Sequence, residues 1–400
     1  MRRDAASGLL LMPDRDRTAH VVIAGVTTRP LAMSAARAGY RVTAIDAFGD
    51  VDLRAVAEVL LARADRPGQA YSPMDAASAG SGVRAELAAY TSNFENHPTA
   101  VALLARGRRL LGNRPVILAR VRDPGEVMRV LRRHGLATPE SRSRAPEQAT
   151  AARSWLLKPR QSGGGHGVLP WSAGDRVPRN MYLQERISGS PGSITFAADG
   201  VNAVLLGFSR QLVGERRLGA GPFRYCGSLL GTRKLHLFRR QDELLERASR
   251  LATVLTREFG LIGLNGVDFM AQDGVPYPIE VNPRYSASME LVERAHQVSM
   301  FAIHARACEG ELPMEPRPCL AIHGKAIVFA RRDTVTRSAL RRLGRRWVAD
   351  IPATGEHIPQ GRPICTVFAQ ARQARACREL LIRRARLIYR AMKSATARVA

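Results

Sequence analysis

The residues best suited to chemistry lie in the run Pro276-Tyr-Pro-Ile-Glu-Val-Asn-Pro-Arg-Tyr-Ser-Ala-Ser-Met289. Glu280 and Asn282 are two apart on a predicted strand, so their side chains share a face. A carboxylate beside an amide carbonyl offers two hard oxygen donors of the kind Mg²⁺ takes. Arg284 follows two residues later, where it could reach a phosphate or carboxylate held by the metal. Asp268 lies upstream in the strand-like run Gly266-Val-Asp-Phe-Met270, with the turn signal Gln272-Asp-Gly-Val275 between. The two runs predict a hairpin with carboxylates on both strands. One acidic residue near a turn is ordinarily just solvated. The Glu-x-Asn-x-Arg triplet facing an Asp is a donor set, and a Mg²⁺ site with so few protein carboxylates is completed by phosphate oxygens and water.

A phosphate loop accompanies it. Residues 155–169 read Trp-Leu-Leu-Lys-Pro-Arg-Gln-Ser-Gly-Gly-Gly-His-Gly-Val-Leu. Trp155 to Lys158 predicts a short buried strand, and Gly163, Gly164, Gly165 and Gly167 then leave the backbone almost bare. Such a loop lets N–H groups approach phosphate oxygens, and glycine accepts the positive φ this needs. Lys158 supplies a point charge at the strand end. The loop lacks the Gly-Lys-Ser/Thr ending of a Walker motif and the glycine pattern of a dinucleotide fold. Lysine is scarce: Lys158, Lys234, Lys325 and Lys393 stand beside 57 arginines, among 61 basic residues. The retained Lys158 and Lys325 are therefore candidates for chemistry. Residues Asn180–Phe196 then read as strand, hinge and strand, and an extended hinge offers the alternating N–H and C=O groups that an adenine edge requires.

The ordered set Lys-Pro…Gly-Gly-Gly-His-Gly, Leu-Gln-Glu-Arg-Ile-Ser-Gly, Gly-Val-Asp-Phe and Glu-Val-Asn-Pro-Arg resembles the ATP-grasp superfamily over roughly residues 110–310. The flanking segments Ala36–Asp50, Ser92–Pro98 and His323–Ala330 are similar to a group of predicted ATP-dependent carboligases related to biotin carboxylase, and to tyramine–glutamate ligases of methanofuran and methylofuran synthesis. The resemblance implies an α+β and α/β chain: an ATP-grasp fold with an N-terminal βαβ domain and a small β-rich C-terminal cap. It implies that Lys158, the lid Gly163, Gly164, Gly165, His166 and Gly167, and the hinge Gln184, Glu185, Arg186 and Ile187 bind ATP. It further implies that Asp268, Glu280 and Asn282 hold Mg²⁺ or Mn²⁺, and that Arg284 and Lys158 serve catalysis. The activity implied is a carboxylate–amine ligase working through an acyl-phosphate, with glutamate and an amine such as tyramine as the sharpest form. The partners implied are small carboxylates and amines, and the reading leaves room for a homodimer.

Two positions depart from the family pattern. Many relatives carry a lysine near Ala119–Pro124; Arg120 or Arg122 must substitute. Many carry an acid after the hinge for the ribose; Gly189–Ser193 has no carboxylate.

The elements that position these residues fall into three expected regions: 18–115 as a parallel α/β domain, 116–310 as the ATP-grasp domain with a lid over about 140–180, and 311–400 as the cap ending in a basic helix at about 371–393. His20–Ala24, a helix from Pro30 to Ala38, and Arg41–Asp46 predict a βαβ unit. Asp46 stands where a ribose-binding acid would, but Gly25-Val-Thr-Thr lacks the dinucleotide glycines. Residues 241–259 predict an amphipathic helix. No apolar run spans a bilayer, and Gly8–Met12 is too short for a secretory leader. Five cysteines without Cys-x-x-Cys spacing fit free thiols in a reducing cytosol. His304, His323 and His357 are expected to be structural. A net charge of +26 invites an RNA or membrane reading through the Arg-rich C-terminal helix. The spread of Arg along the chain and an aromatic content of 6% favour a solvated surface and no nucleic-acid partner. Three other readings stand beside the ligase: phosphate transfer to bicarbonate, which needs a separate carrier since no Met-Lys-Met motif occurs; a non-catalytic nucleotide-binding subunit; and an anionic-polymer binder.

Overall fold

The computed structural model describes residues 19–62, 71–145, 154–316, 319–343 and 346–392. The Gly8–Met12 run, the 146–153 part of the lid's opening loop and Lys393 lie outside the described residues.

The N-terminal strands β1 (His20–Ala24), β2 (Arg41–Asp46), β3 (Glu58–Leu61), β4 (Leu87–Tyr90) and β5 (Arg109–Leu111) form a parallel sheet of order β3-β2-β1-β4-β5. Val21, Val22, Ile23 and Ala24 are fully buried, as an apolar run covered on both faces must be. The first helix, Arg29–Arg37, starts at Pro30 in its first turn.

A second sheet, of order β6-β9-β7-β8, is built from β6 (Ser141–Arg142), β7 (Trp155–Pro159), β8 (Leu169–Trp171) and β9 (Met181–Glu185). It has its own small core of Trp155, Trp171 and Leu183, and it carries the glycine loop between β7 and β8.

The largest sheet contains β10 (Ser190–Asp199), β11 (Ala203–Val213), β12 (Tyr225–Leu230), β13 (Ile262–Gln272), β14 (Val275–Asn282) and β15 (Ile322–Phe329). Beyond a short pair, β16 (Thr334–Val335) with β18 (His357–Ile358), it adds β17 (Val348–Ala349) and β19 (Pro363–Ala371). Its order is β14-β13-β10-β11-β12-β15-β19-β17. The C-terminal strands thus extend the central sheet, because β15 pairs with β12 at Ser228–Lys325. The amphipathic helix forms over Gln241–Phe259 and buries Leu244, Leu245, Ala248, Leu251, Ala252 and Leu255.

The C-terminal helix, Ala374–Met392, buries Cys377, Leu381, Ile382, Ala385 and Ile388. Its apolar face is part of the main core, which leaves its arginines on a solvated face rather than an apolar stripe free for lipid. Among the described residues no helix is long and apolar enough to cross a membrane.

Candidate active site

The hairpin β13–β14 forms as its alternation predicts and places Asp268 opposite Glu280. The Asn282 amide donates to Asp268 Oδ2 (3.2 Å), and the Gln211 amide donates to Asp268 Oδ1 (2.9 Å). Glu280 Oε1 pairs with an Arg122 guanidinium nitrogen at 2.9 Å. Burial first, and then the neighbouring Glu280 charge, push the Asp268 carboxyl up to about 6. Arg122 answers Glu280, whereas Asp268 has no ion pair among the described residues and is held by amide donors. Among the described residues no group of three or more His, Cys, Asp or Glu could hold a metal. The donor set is therefore not a closed protein cage. It fits a hard cation that keeps phosphate oxygens and water as its other ligands.

The glycine loop hangs over the same cleft. Gly164, Gly165 and Gly167 have φ of +62°, +74° and +73°, which explains why side chains are excluded there. A Cβ at Gly165 would overlap the carbonyl oxygen of Phe223. Tyr225 N–H donates to the Gly164 carbonyl at 3.0 Å, so the loop is docked on the segment leading into β12. Lys158 Nζ donates to Gln184 Oε1 (3.0 Å) and to the Ile279 carbonyl (3.3 Å). It thereby lies between the sheet that carries the glycine loop and strand β14. The cleft has a volume of about 980 Å³; of the residues expected from the sequence, Lys158, Gly163–His166, Gln184–Ile187, Asp268, Glu280, Asn282 and Arg284 line it, and Gly167 does not.

The hinge narrows to one donor. Glu185 N–H donates to the Glu140 carbonyl and Arg186 N–H to the Ser154 carbonyl, both at 2.8 Å. Ile187 lines the cleft, and its N–H has no hydrogen bond among the described residues. The stretch after the hinge brings Gly189, Pro191 and Ser193 to the cleft and no carboxylate.

Arg122 lines the cleft and Arg120 does not. Arg120 lies over the Phe259 ring and pairs with Glu126 on the outside. Arg122 donates to Asn96 Oδ1 (2.9 Å), the Val281 carbonyl (2.7 Å) and the Ser162 carbonyl (3.3 Å), besides pairing with Glu280. It ties the N-terminal domain, strand β14 and the start of the glycine loop together. Arg284 donates to Glu95 Oε1 at 2.6 Å, and the opposing charge holds the buried Glu95 carboxyl below its usual range against the cost of burial. Glu95 and Gln211 were not singled out from the sequence; Ser92–Pro98 carried the only signal for Glu95.

Other residues are accounted for structurally. Asp46 accepts from Thr28 N–H and Oγ1 and from the Phe48 and Gly49 N–H groups, so it fixes the turns after β1 and β2. His304 accepts from Leu264 N–H at Nδ1 and bonds the Leu111 carbonyl through Nε2, and burial lowers its pKa to about 4. Lys325 is buried and pairs with Glu290 at 2.7 Å.

Residues 121–288 match the model of the ATP-grasp domain family. That segment is similar to an ATP-grasp domain. The ATP-grasp fold extends over nearly all of the chain: the ADP complex of N5-carboxyaminoimidazole ribonucleotide synthetase superposes with a TM-score of 0.68 at 17% identity, covering 97% of this chain and 100% of that one. L-amino acid ligase from Bacillus licheniformis superposes with a TM-score of 0.67 at 16% identity, covering 93% and 98%. In sequence, the carbamoyl phosphate synthase large chain of Myxococcus xanthus is 27% identical over 233 residues, 53% of this chain and 21% of that one. The chain thus spans about a fifth of the length of that curated relative. ATP and Mg²⁺ are the cofactors of an ATP-grasp domain, and the donor set described above suits them.

Proposed function

We propose that the chain is an ATP-dependent ligase that joins a carboxylate to an amine through an acyl-phosphate. The observation that carries this reading is the convergence of Asp268, Glu280 and Asn282, Lys158, Arg122 and Arg284 on the wall of one cleft beneath a docked glycine loop. Asp268, Glu280 and Asn282 would hold Mg²⁺, which supplies charge neutralisation at the phosphates. Lys158, the bare N–H groups of the glycine loop and Arg122 bind and orient the nucleotide's phosphates. Ile187 N–H meets the adenine edge. Arg284, held by Glu95, steadies the substrate carboxylate as it takes the γ-phosphoryl group and then the resulting acyl-phosphate. The amine displaces phosphate to give the amide. An acyl-phosphate must be kept from water, which suits a lid that docks on the segment before β12.

In its sharpest form the substrate is an amino acid such as glutamate, and the acceptor an amine such as tyramine. The likeness to an amino acid ligase supports that class without fixing the pair. The test is phosphate release from ATP and Mg²⁺ with a matrix of carboxylates and amines. Release that needs both members of one pair, and disappears in Glu280→Gln, supports the ligase. Release with bicarbonate alone, or with no acceptor at all, contradicts it.

A further inference from the structure

The same cleft has a second wall, made by the N-terminal and C-terminal segments, whose charges do not balance. Arg29, 2% exposed, makes paired contacts to Glu290 (2.5 and 3.1 Å) and to Asp350 (2.7 and 3.3 Å), and lies 3.6 Å from Asp52. Lys325 answers Glu290 only. Among the described residues, two cations thus pair with three carboxylates. A fourth, Asp50, is buried and has no ion pair among the described residues. Burial, then Asp350, Asp46 and Asp52, push its carboxyl well up. On the Glu290 side the charge is answered: despite burial, Arg29 and Lys325 hold that carboxyl well below its usual range. Arg37 is engaged with Glu293, and Arg294 lies 3.6 Å over the Phe368 ring, so neither answers Asp350. At the Asp350 end, carboxyl groups outnumber cations among the described residues: Arg29 is shared by Asp350, Asp52 and Glu290.

Asp350 is also held in a costly conformation. Its φ is +54°, in the left-handed region that a non-glycine residue seldom adopts. The Asp52 carboxylate accepts both Asp350 N–H and Ile351 N–H at 2.9 Å, which clamps the segment there. Asp350 lines the cleft. So does Tyr285, which is 5% exposed and whose hydroxyl has no hydrogen-bond partner among the described residues. That hydroxyl lies within the field of Glu290, Arg29, Arg37 and Asp350. A buried hydroxyl left unpaired is rare and marks a place where something else bonds.

We propose that Asp350, with the Tyr285 hydroxyl, holds a primary ammonium group of the substrate. An ammonium restores the missing positive charge, donates to the Asp350 carboxylate and gives the Tyr285 oxygen a donor. The ammonium belongs either to the amino acid whose carboxylate is activated or to the incoming amine. The proposal rests on the ligase reading, but it assigns a specificity-determining role to a residue outside the nucleotide and metal machinery.

The test uses the full chain loaded with MgADP. Calorimetric titration with the common amino acids, with their 2-hydroxy counterparts, and with primary amines lacking a carboxylate compares the two sources. The expected result is binding by ammonium-bearing members and loss of binding in the hydroxy counterpart or uncharged analogue of the best ligand. Amino acids but not simple amines as ligands place the group on the acid; the reverse places it on the acceptor. Asp350→Asn should weaken the best ligand on the order of tenfold to a hundredfold, and Tyr285→Phe by about tenfold, with MgADP affinity unchanged in both. Should Asp350→Asn fail to fold, Tyr285→Phe carries the same comparison. Equal affinity in the variants, equal binding by the analogue lacking the ammonium, or binding by no ammonium-bearing member overturns the proposal. Failure of the unmodified chain to bind MgADP strikes the ligase reading instead, which separates the two.

Discussion

Arg284 and Glu95 meet at 2.6 Å although 189 residues separate them, and both are buried within the structure. The contact links the loop after β4 to the end of the β13–β14 hairpin. A buried pair broken from one side leaves a bare charge, which costs about 3–5 kcal/mol. Glu95→Ala should therefore lower unfolding free energy by that order, measured by urea denaturation. Glu95→Gln keeps the hydrogen bond and should fold, yet let Arg284 drift. Turnover should fall about a hundredfold for a displacement near 1 Å, with little change in the KM for ATP. Unchanged turnover in Glu95→Gln would show that Arg284 needs no anchor.

Arg122 and Arg120 give a paired test. Arg122→Ala removes charged hydrogen bonds to Glu280 and the Ser162 carbonyl, and should cost on the order of tenfold to a hundredfold in kcat/KM for ATP. Arg120→Ala, at an exposed ion pair, should leave kcat/KM alone and shift stability by about 0.5 kcal/mol or less. Equal effects in steady-state kinetics would contradict the placement of Arg122 in the site.

The glycine loop predicts a lid variant. Gly165→Ala meets both a φ of +74° and the Phe223 carbonyl. The left-handed conformation alone costs roughly 1–2 kcal/mol for a residue with a Cβ. Nucleotide affinity should drop about tenfold, while the melting temperature without nucleotide stays nearly constant because the loop is largely exposed. Ala at the exposed, unconfined Gly174 is the control.

On the proposed reading, protons and the metal compete at Asp268. Its carboxyl is pushed up to about 6 by burial and Glu280, while an unfolded chain has the ordinary 3.8. Between those values the folded state binds more protons, so the metal-free protein loses stability as pH rises through that window. The metal requires the ionised form, so Mg²⁺ affinity in the presence of ADP should fall as pH drops below about 6, with proton release on binding. Asp268→Asn should remove both the pH-dependent loss and the proton release. Calorimetry near pH 6 in two buffers of different ionisation enthalpy measures it.

The parts of this site legible in the sequence are those written in local patterns. The β13–β14 hairpin announced itself through alternation and a turn, the glycine loop through residues needed at positive φ, and the Gln241–Phe259 helix through its period. What escaped depends on the distant pairing of segments. Arg120 and Arg122 could not be told apart, because one lies in the last turn of the helix Pro115–Val121 and the other caps it, and two residues at a helix end point in different directions. Three hinge N–H groups read as equivalent until Glu140 and Ser154 were seen to occupy two of them. Asp350 carried no signal at all, since its role comes from a clamp to Asp52 across 298 residues. Lys325 stood out by rarity, which located a buried ion pair.

The most direct test of the account is Mn²⁺ binding in the presence of ADP, followed by electron paramagnetic resonance. The unmodified chain should bind Mn²⁺ with ADP, and Glu280→Gln and Asp268→Asn should each lose that affinity while keeping their fold by circular dichroism. Full Mn²⁺ affinity in both variants would mean that the metal sits elsewhere and that the β13–β14 hairpin is not the centre of the site.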